Sequence, residues 1–452
     1  MSQAAAEAYV DPSLTPGELT RSIAEPVEAR PPRWWMVGAA GAASLALLFV
    51  GSVGWLFWKG VGVWGLGSPT FWGFDIINMV FWVGIAHTGT AVTSFMTLSR
   101  QPWKNGINRI AEAMTIFAVL CAALFPLIHV GRPWLAYYFF PLPNSMGIWP
   151  NFKGPIFADF FALNTYLYVS ALFWYLGMLP DLAALRDRAT NKIAFWAYGL
   201  LALGWRGGAR QWSQYQKAYL LMAAIGTPLV LSVCAIVSMT FAPSILPGWH
   251  ATIFPLYFLT GALAAGFSML GMLAVFTRSF FGFKRLITEK HLETINKWTL
   301  ACILGVAYVY LVEFFIAWYS GNLYERFTII HNRLGGPYAA IYWTMLACNV
   351  LIPQLFWLKR FRTRQNLMVF VCLAITVGMW CERFVILVLS VHRDFLPGSW
   401  GMYAPSLVEV ATFLGTIGIF LTMFLAFLKF LPVISMAEVK HSLPSSHAGS
   451  AP

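Results

Sequence analysis

His129 closes the apolar run "INRIAEAMTIFAVLCAALFPLIH" (107–129), and Asp159 lies inside the next one, "PIFADFFAL" (155–163). Ionisable side chains are costly in such segments, so each is a functional candidate. An imidazole exchanges its proton near neutral pH, at about 6.5 when unperturbed. A carboxylate drawn half out of water favours its neutral form and makes a second acceptor. Asp75, at the start of another apolar run, Asn78, one turn deeper, and Arg132, just past His129, fall at the same depth. Two proton acceptors beside the aromatic wall of "AYYFF" (136–140) suit one chemistry in particular: oxidation of a quinol, which releases two electrons and two protons. His129 and Asp159 are the expected catalytic pair, with Arg132, Asp75 and Asn78 around the ring. Plainer readings stand beside this one. A lone histidine at a helix end is often interfacial, and Asp75, Glu112 and Glu409 read as first-turn acids favoured by the helix dipole. Asp159, inside an apolar stretch, resists that explanation.

A second constellation lies deeper: His87, Glu313, Glu382 and Arg383. A buried Glu–Arg pair reads equally as a structural ion pair or as part of a proton pathway with His87 and Glu313. The six cysteines all lie in apolar runs and form no C-x-x-C pair, so no haem or iron–sulfur cluster is expected on this chain. Bis-histidine haem needs paired mid-membrane histidines, and only His87 lies there. No metal site is expected either.

These residues need helices in a bilayer to position them. The chain is 59% hydrophobic with only 11% charged residues and a mean hydropathy of +0.66, a balance that belongs to a polytopic membrane protein. About 20 apolar residues span a bilayer core, and ten stretches qualify: 36–58, 74–98, 109–130, 155–179, 218–242, 254–277, 298–320, 338–358, 367–391 and 405–430. A shorter apolar segment, 193–205, reads as an interfacial helix. The net charge of +12 does not point to nucleic acid, because the basic residues fall in short loops on one side. That side holds Arg100, Lys104 and Arg109; Arg186 to Lys217; Arg278 to Lys297; and Lys359 to Arg364. The other has only Lys59, Arg132, Lys153, Arg326, Arg333 and Arg393. The positive-inside rule then places both termini in the cytoplasm.

"GIAHTGTAVTSFMTLSR" (84–100) echoes "GALAAGFSMLGMLAVFTR" (261–278), and "INR" (107–109) matches "INK" (295–297). The expected fold is therefore all-α, with two four-helix bundles in parallel repeat and two flanking helices. The divisions are a disordered cytoplasmic tail (1–35), a first peripheral helix and loop (36–73), a first bundle holding the quinol site (74–242), a second bundle (243–391), and a last peripheral helix with a cytoplasmic tail (392–452). The second bundle has no counterpart of Asp159, its equivalent lying near Ile341. A secondary transporter or proton channel with buried carboxylates is the rival reading. It favours sites near the midplane on broken helices, whereas the strongest cluster here lies near the outer face.

The stretches "INRIAEAMTIFAVLCAALFPLIHVGRPW" (107–134) and "NMVFWVGIAHTGT" (78–90) resemble the NrfD/PsrC family of membrane subunits, most closely its ActC-type members in bacterial alternative complex III. The likeness covers nearly the whole chain. It implies a menaquinol site near the periplasmic face, with the family's histidine falling on His129 and its aspartate on Asp159. The implied partners are a periplasmic iron–sulfur subunit, c-type haem subunits, a second NrfD-like membrane subunit and membrane lipids. It further implies a place in the bacterial inner membrane, activity only as part of a quinol:electron-acceptor oxidoreductase of cytochrome c type, and proton translocation carried here by His87, Glu313, Glu382 and Arg383.

Overall fold

The apolar runs become helices because a bilayer core offers the backbone no other hydrogen-bond partners. The computed structural model describes residues 9–139 and 155–441. Among the described residues there are ten helices long and apolar enough to cross a membrane, and no strand. A short helix α1 (Pro16–Glu28) precedes them. The spans are α2 (Arg33–Lys59), α3 (Phe74–Leu98), α4 (Asn108–His129), α5 (Pro155–Arg188), α7 (Ala209–Met239), α8 (Phe254–Phe280), α9 (Glu289–Tyr319), α10 (Ala339–Trp357), α11 (Gln365–Leu389) and α12 (Leu407–Phe430). The interfacial segment forms α6 (Lys192–Leu201), with Ile193, Trp196 and Leu200 exposed, and α13 (Met436–His441) follows the last span. Lys153, one of the few expected outer-face charges, lies outside the described residues.

All ten expected spans are present. Three run further than hydropathy alone suggests: α5 continues to Arg188, α7 starts at Ala209 and α9 at Glu289. Hydropathy marks where the hydrocarbon ends, whereas a helix continues until a breaker or cap stops it.

The tail expected to be disordered is folded from Pro16 to Glu28. Thr15 and Glu18 form a capping box: Glu18 N–H donates to Thr15 Oγ1 at 3.3 Å, and Thr15 N–H donates to Glu18 Oε2 at 3.0 Å. Leu19 and Ile23, four residues apart, bury one face. Lys429 Nζ then caps the far end through the carbonyls of Pro26 (2.8 Å), Val27 (3.2 Å) and Ala29.

Helix α3 is central. It packs on α4, α7, α8 and α11, while α8 also meets α7, α9 and α11. The first span, α2, pairs chiefly with the last, α12. Lipid supplies no hydrophobic drive between helices, so close backbone approach and polar contacts hold them. At the α2–α12 crossing a Cβ on Gly418 would stand 2.4 Å from Ala46 N. Thr412 Oγ1 donates to Ser52 Oγ across the same seam at 3.0 Å. Trp82 Nε1 of α3 donates to Thr416 Oγ1 of α12 at 3.1 Å, tying the pair to the central helix.

Candidate functional site

The last turn of α4 and the first turn of α3 meet at one end of the bundle. His129 is the final residue of α4, and Gly131, at φ +71°, turns the chain away beyond it. Asp75 stands in the first turn of α3 and hydrogen-bonds His129 Nδ1 through Oδ2. The Asp75 side chain is 2% exposed and His129 18%, so the carboxylate lies behind the ring and the ring faces open space. A partner on Nδ1 fixes the imidazole's orientation and leaves Nε2 for other chemistry.

That open space is a narrow slot. His129 and Asp159 both line it, with Trp72, Met79 and Phe241 among its walls. Trp72 stacks on Trp249 at 5.5 Å and meets Phe241 edge-on at 5.7 Å. Asp159 Oδ1 is buried without a hydrogen-bond partner among the described residues. Such an atom is costly unless a proton or a ligand satisfies it.

The other expected site residues fall elsewhere. Asn78 is buried but accepts from Trp380 Nε1 of α11 at 2.8 Å, and it does not line the slot. Its position on the helix matched the right depth, but its azimuth points to α11. Arg132 is exposed and also outside the lining. Of the "AYYFF" wall, Phe140 and the side chains of Tyr138 and Phe139 lie outside the described residues.

Below the slot, and sharing Val80 and Val237 with it, is a small cavity lined by His87 and Arg383 among others. His87 Nδ1 meets Val83 O at 2.6 Å, its ring stacks on Tyr166 at 5.0 Å, and its buried Nε2 has no partner among the described residues. The Arg383 guanidinium lies 5.0 Å over Phe258 and donates to Glu382 Oε1 at 2.7 Å. Glu382 Oε2 accepts from Tyr310 OH, which accepts from Asn349 Nδ2 at 2.9 Å. Both helices widen to π-type turns here, at Ala347–Leu351 and Val385–Leu389, a local geometry common at functional sites. Glu313 does not join this group. It forms a bidentate pair with Arg333 at 2.7 and 3.0 Å, both side chains being buried.

Sequence reasoning places Arg333 in an outer loop. The unmatched Glu313 in an apolar helix is the available sign that a cation has to fold back to it. Glu112, which reads as a cap in sequence, is instead the centre of a buried cluster at the opposite end of α4 from His129. It accepts from Asn108 Nδ2 (3.3 Å), Arg109 Nη1 (3.2 Å) and Tyr219 OH (3.3 Å). Arg109 also pairs with Asp181 at 3.1 Å. The cap reading of Glu409 fits its bonds with Ser406, although that carboxylate does more, as described below. No group of three or more potential metal ligands occurs among the described residues.

A family model described as "Polysulphide reductase, NrfD" matches residues 62–393, from just before α3 to just past α11. The chain belongs to the NrfD family. Two similar proteins are a selenate reductase subunit of Mesobacillus selenatarsenatis and a protein of Halobacterium salinarum named as a dimethyl sulfoxide reductase membrane subunit. The first is 22% identical over 402 residues, covering 85% of this chain and 91% of the relative. The second is 22% identical over 430 residues, covering 88% and 92%. The likeness to NrfD/PsrC subunits read from 78–90 and 107–134 thus holds at family level, and the matched region contains all the residues lining the slot of this NrfD-type chain.

Proposed function

We propose that this chain is the quinol-oxidising membrane subunit of an electron-transfer complex of the alternative complex III type. The observation carrying this reading is that His129 and Asp159 line one slot near one end of the bundle, with Asp75 behind the histidine. One quinol hydroxyl proton passes to His129 Nε2 and the other to Asp159 Oδ1. The two electrons leave for an iron–sulfur cluster on a periplasmic partner subunit and go on to c-type haem subunits, and the quinone departs. Menaquinol is the proposed substrate, and a second NrfD-like subunit the proposed neighbour. Two relatives named as reductase subunits support a role in feeding electrons to a partner.

In this reading the protein lies in the bacterial inner membrane with both termini in the cytoplasm. A carboxylate behind Nδ1 stabilises the imidazolium formed when Nε2 takes a proton. His87, Arg383 and Glu382 extend the polar route inward from the slot, and they are the proposed carriers if protons cross the membrane. The Glu313–Arg333 pair, held bidentate and apart from them, suits a structural tie better than a relay.

The test uses the assembled complex. His129→Ala and Asp159→Asn should each lower quinol oxidation at least about 100-fold, within the range of losing an acid–base group, while the subunit stays in the complex. Full turnover in the double variant would refute the site. Glu382→Gln should lower the number of protons released per electron. An unchanged ratio would make that carboxylate structural.

A further inference from the structure

The start of α3 is held by a polar clamp that the chemistry described above does not use. Phe74 N–H, one of the helix's unpaired N-terminal donors, gives its hydrogen bond to Tyr403 OH at 2.9 Å. The same phenol donates to Glu409 Oε1 at 2.6 Å. Glu409 Oε2 accepts from Gly65 N at 2.9 Å and Ser406 N at 2.7 Å. One buried carboxylate thus gathers the loop before α3, the loop before α12 and, through the phenol, the first turn of α3. Burial and the adjacent carboxylate push the Tyr403 phenol well up, so it keeps its proton and the direction of both bonds is set. Contact is close: a Cβ on Gly73 would stand 2.7 Å from Tyr403 Oη. Behind it, Tyr338 OH bonds both the nitrogen and the carbonyl of Tyr403 at 2.7 Å.

The residue after Phe74 is Asp75. We infer that Tyr403 and Glu409 are positioning residues for the outer slot: they fix the first turn of α3, and so the point at which the Asp75 carboxylate meets His129 Nδ1. This rests on the proposed role of His129. Releasing the clamp lets the carboxylate drift, and a misplacement of about 1 Å near a reacting group costs up to roughly 100-fold in rate.

The experiment is a double-mutant cycle on kcat for menaquinol oxidation by the purified complex, with Tyr403→Phe, Asp75→Asn and both together. Tyr403→Phe should lower kcat about tenfold with KM changed less than twofold, and should add less than a further twofold once Asp75 is already Asn. An equal loss in both backgrounds, or an unchanged kcat in the single variant, overturns the inference. Where Tyr403→Phe disturbs assembly, Glu409→Gln, whose single amide oxygen cannot accept from the phenol and from the Gly65 and Ser406 N–H groups together, carries the same cycle with the same expected and overturning results. Failure of this inference is distinct from failure of the site. Full turnover in His129→Ala and Asp159→Asn removes the site itself, whereas an additive Tyr403 effect with those two inactive removes only the clamp's role.

Discussion

A histidine whose Nδ1 is held by a buried carboxylate has one ring nitrogen left to act with, and His129 lines the slot together with Asp159. The residues that show this best were also the most legible in sequence. His129 and Asp159 stand out because each breaks an apolar run. Arg333, Asp181 and Tyr403 were not legible, since their burial comes from loops and distant helices folding over them, which no local pattern records. His392 extends the argument to pH. It lies buried just beyond α11, its Nδ1 against Val388 O at 3.1 Å, and burial lowers its pKa from the usual 6.5 to about 4. The unfolded chain takes up this proton below about pH 6.5, but the folded chain only below about 4. The contribution is therefore complete above 6.5, falls as the pH drops through that window and levels off below 4. In detergent, the thermal midpoint of the native protein should fall more steeply between those values than that of His392→Asn. Parallel curves would contradict this.

At the scale of elements, the spans were readable because a bilayer imposes length and composition. Their ends and azimuths were not. Asn78 shows the limit: hydropathy gave its depth, but only packing shows that it faces Trp380. Helix pairing rests on small residues at close crossings, and the α2–α12 seam offers a direct test. Gly418→Val must push against the Ala46 backbone and should destabilise the protein by about 1–3 kcal/mol, lowering its thermal midpoint. Gly51→Val on α2, where nothing lies within 4 Å of the added Cβ, serves as the control and should leave the midpoint near the native value. Equal shifts in the two variants would show that the close crossing does not matter.

For the whole molecule, ten spans and the loop charges lead to one expectation of orientation. A membrane-impermeant maleimide applied to intact cells should label Ser399→Cys, in the loop before α12, and spare Ser13→Cys, which precedes α1. The opposite pattern would invert the assignment and put the proposed slot on the cytoplasmic side. The pairing of the first span with the last also bears on biosynthesis. At about 5–20 residues per second, translating the residues between α2 and α12 takes roughly 20–70 s. During that interval the earliest helix sits among lipids, and its Leu45–Phe49 face lacks the close contact that Gly415 and Gly418 of α12 later make. Closure of the molecule therefore waits on the final stretch to leave the ribosome, and a nascent chain halted before Leu407 keeps its first helix without its main partner.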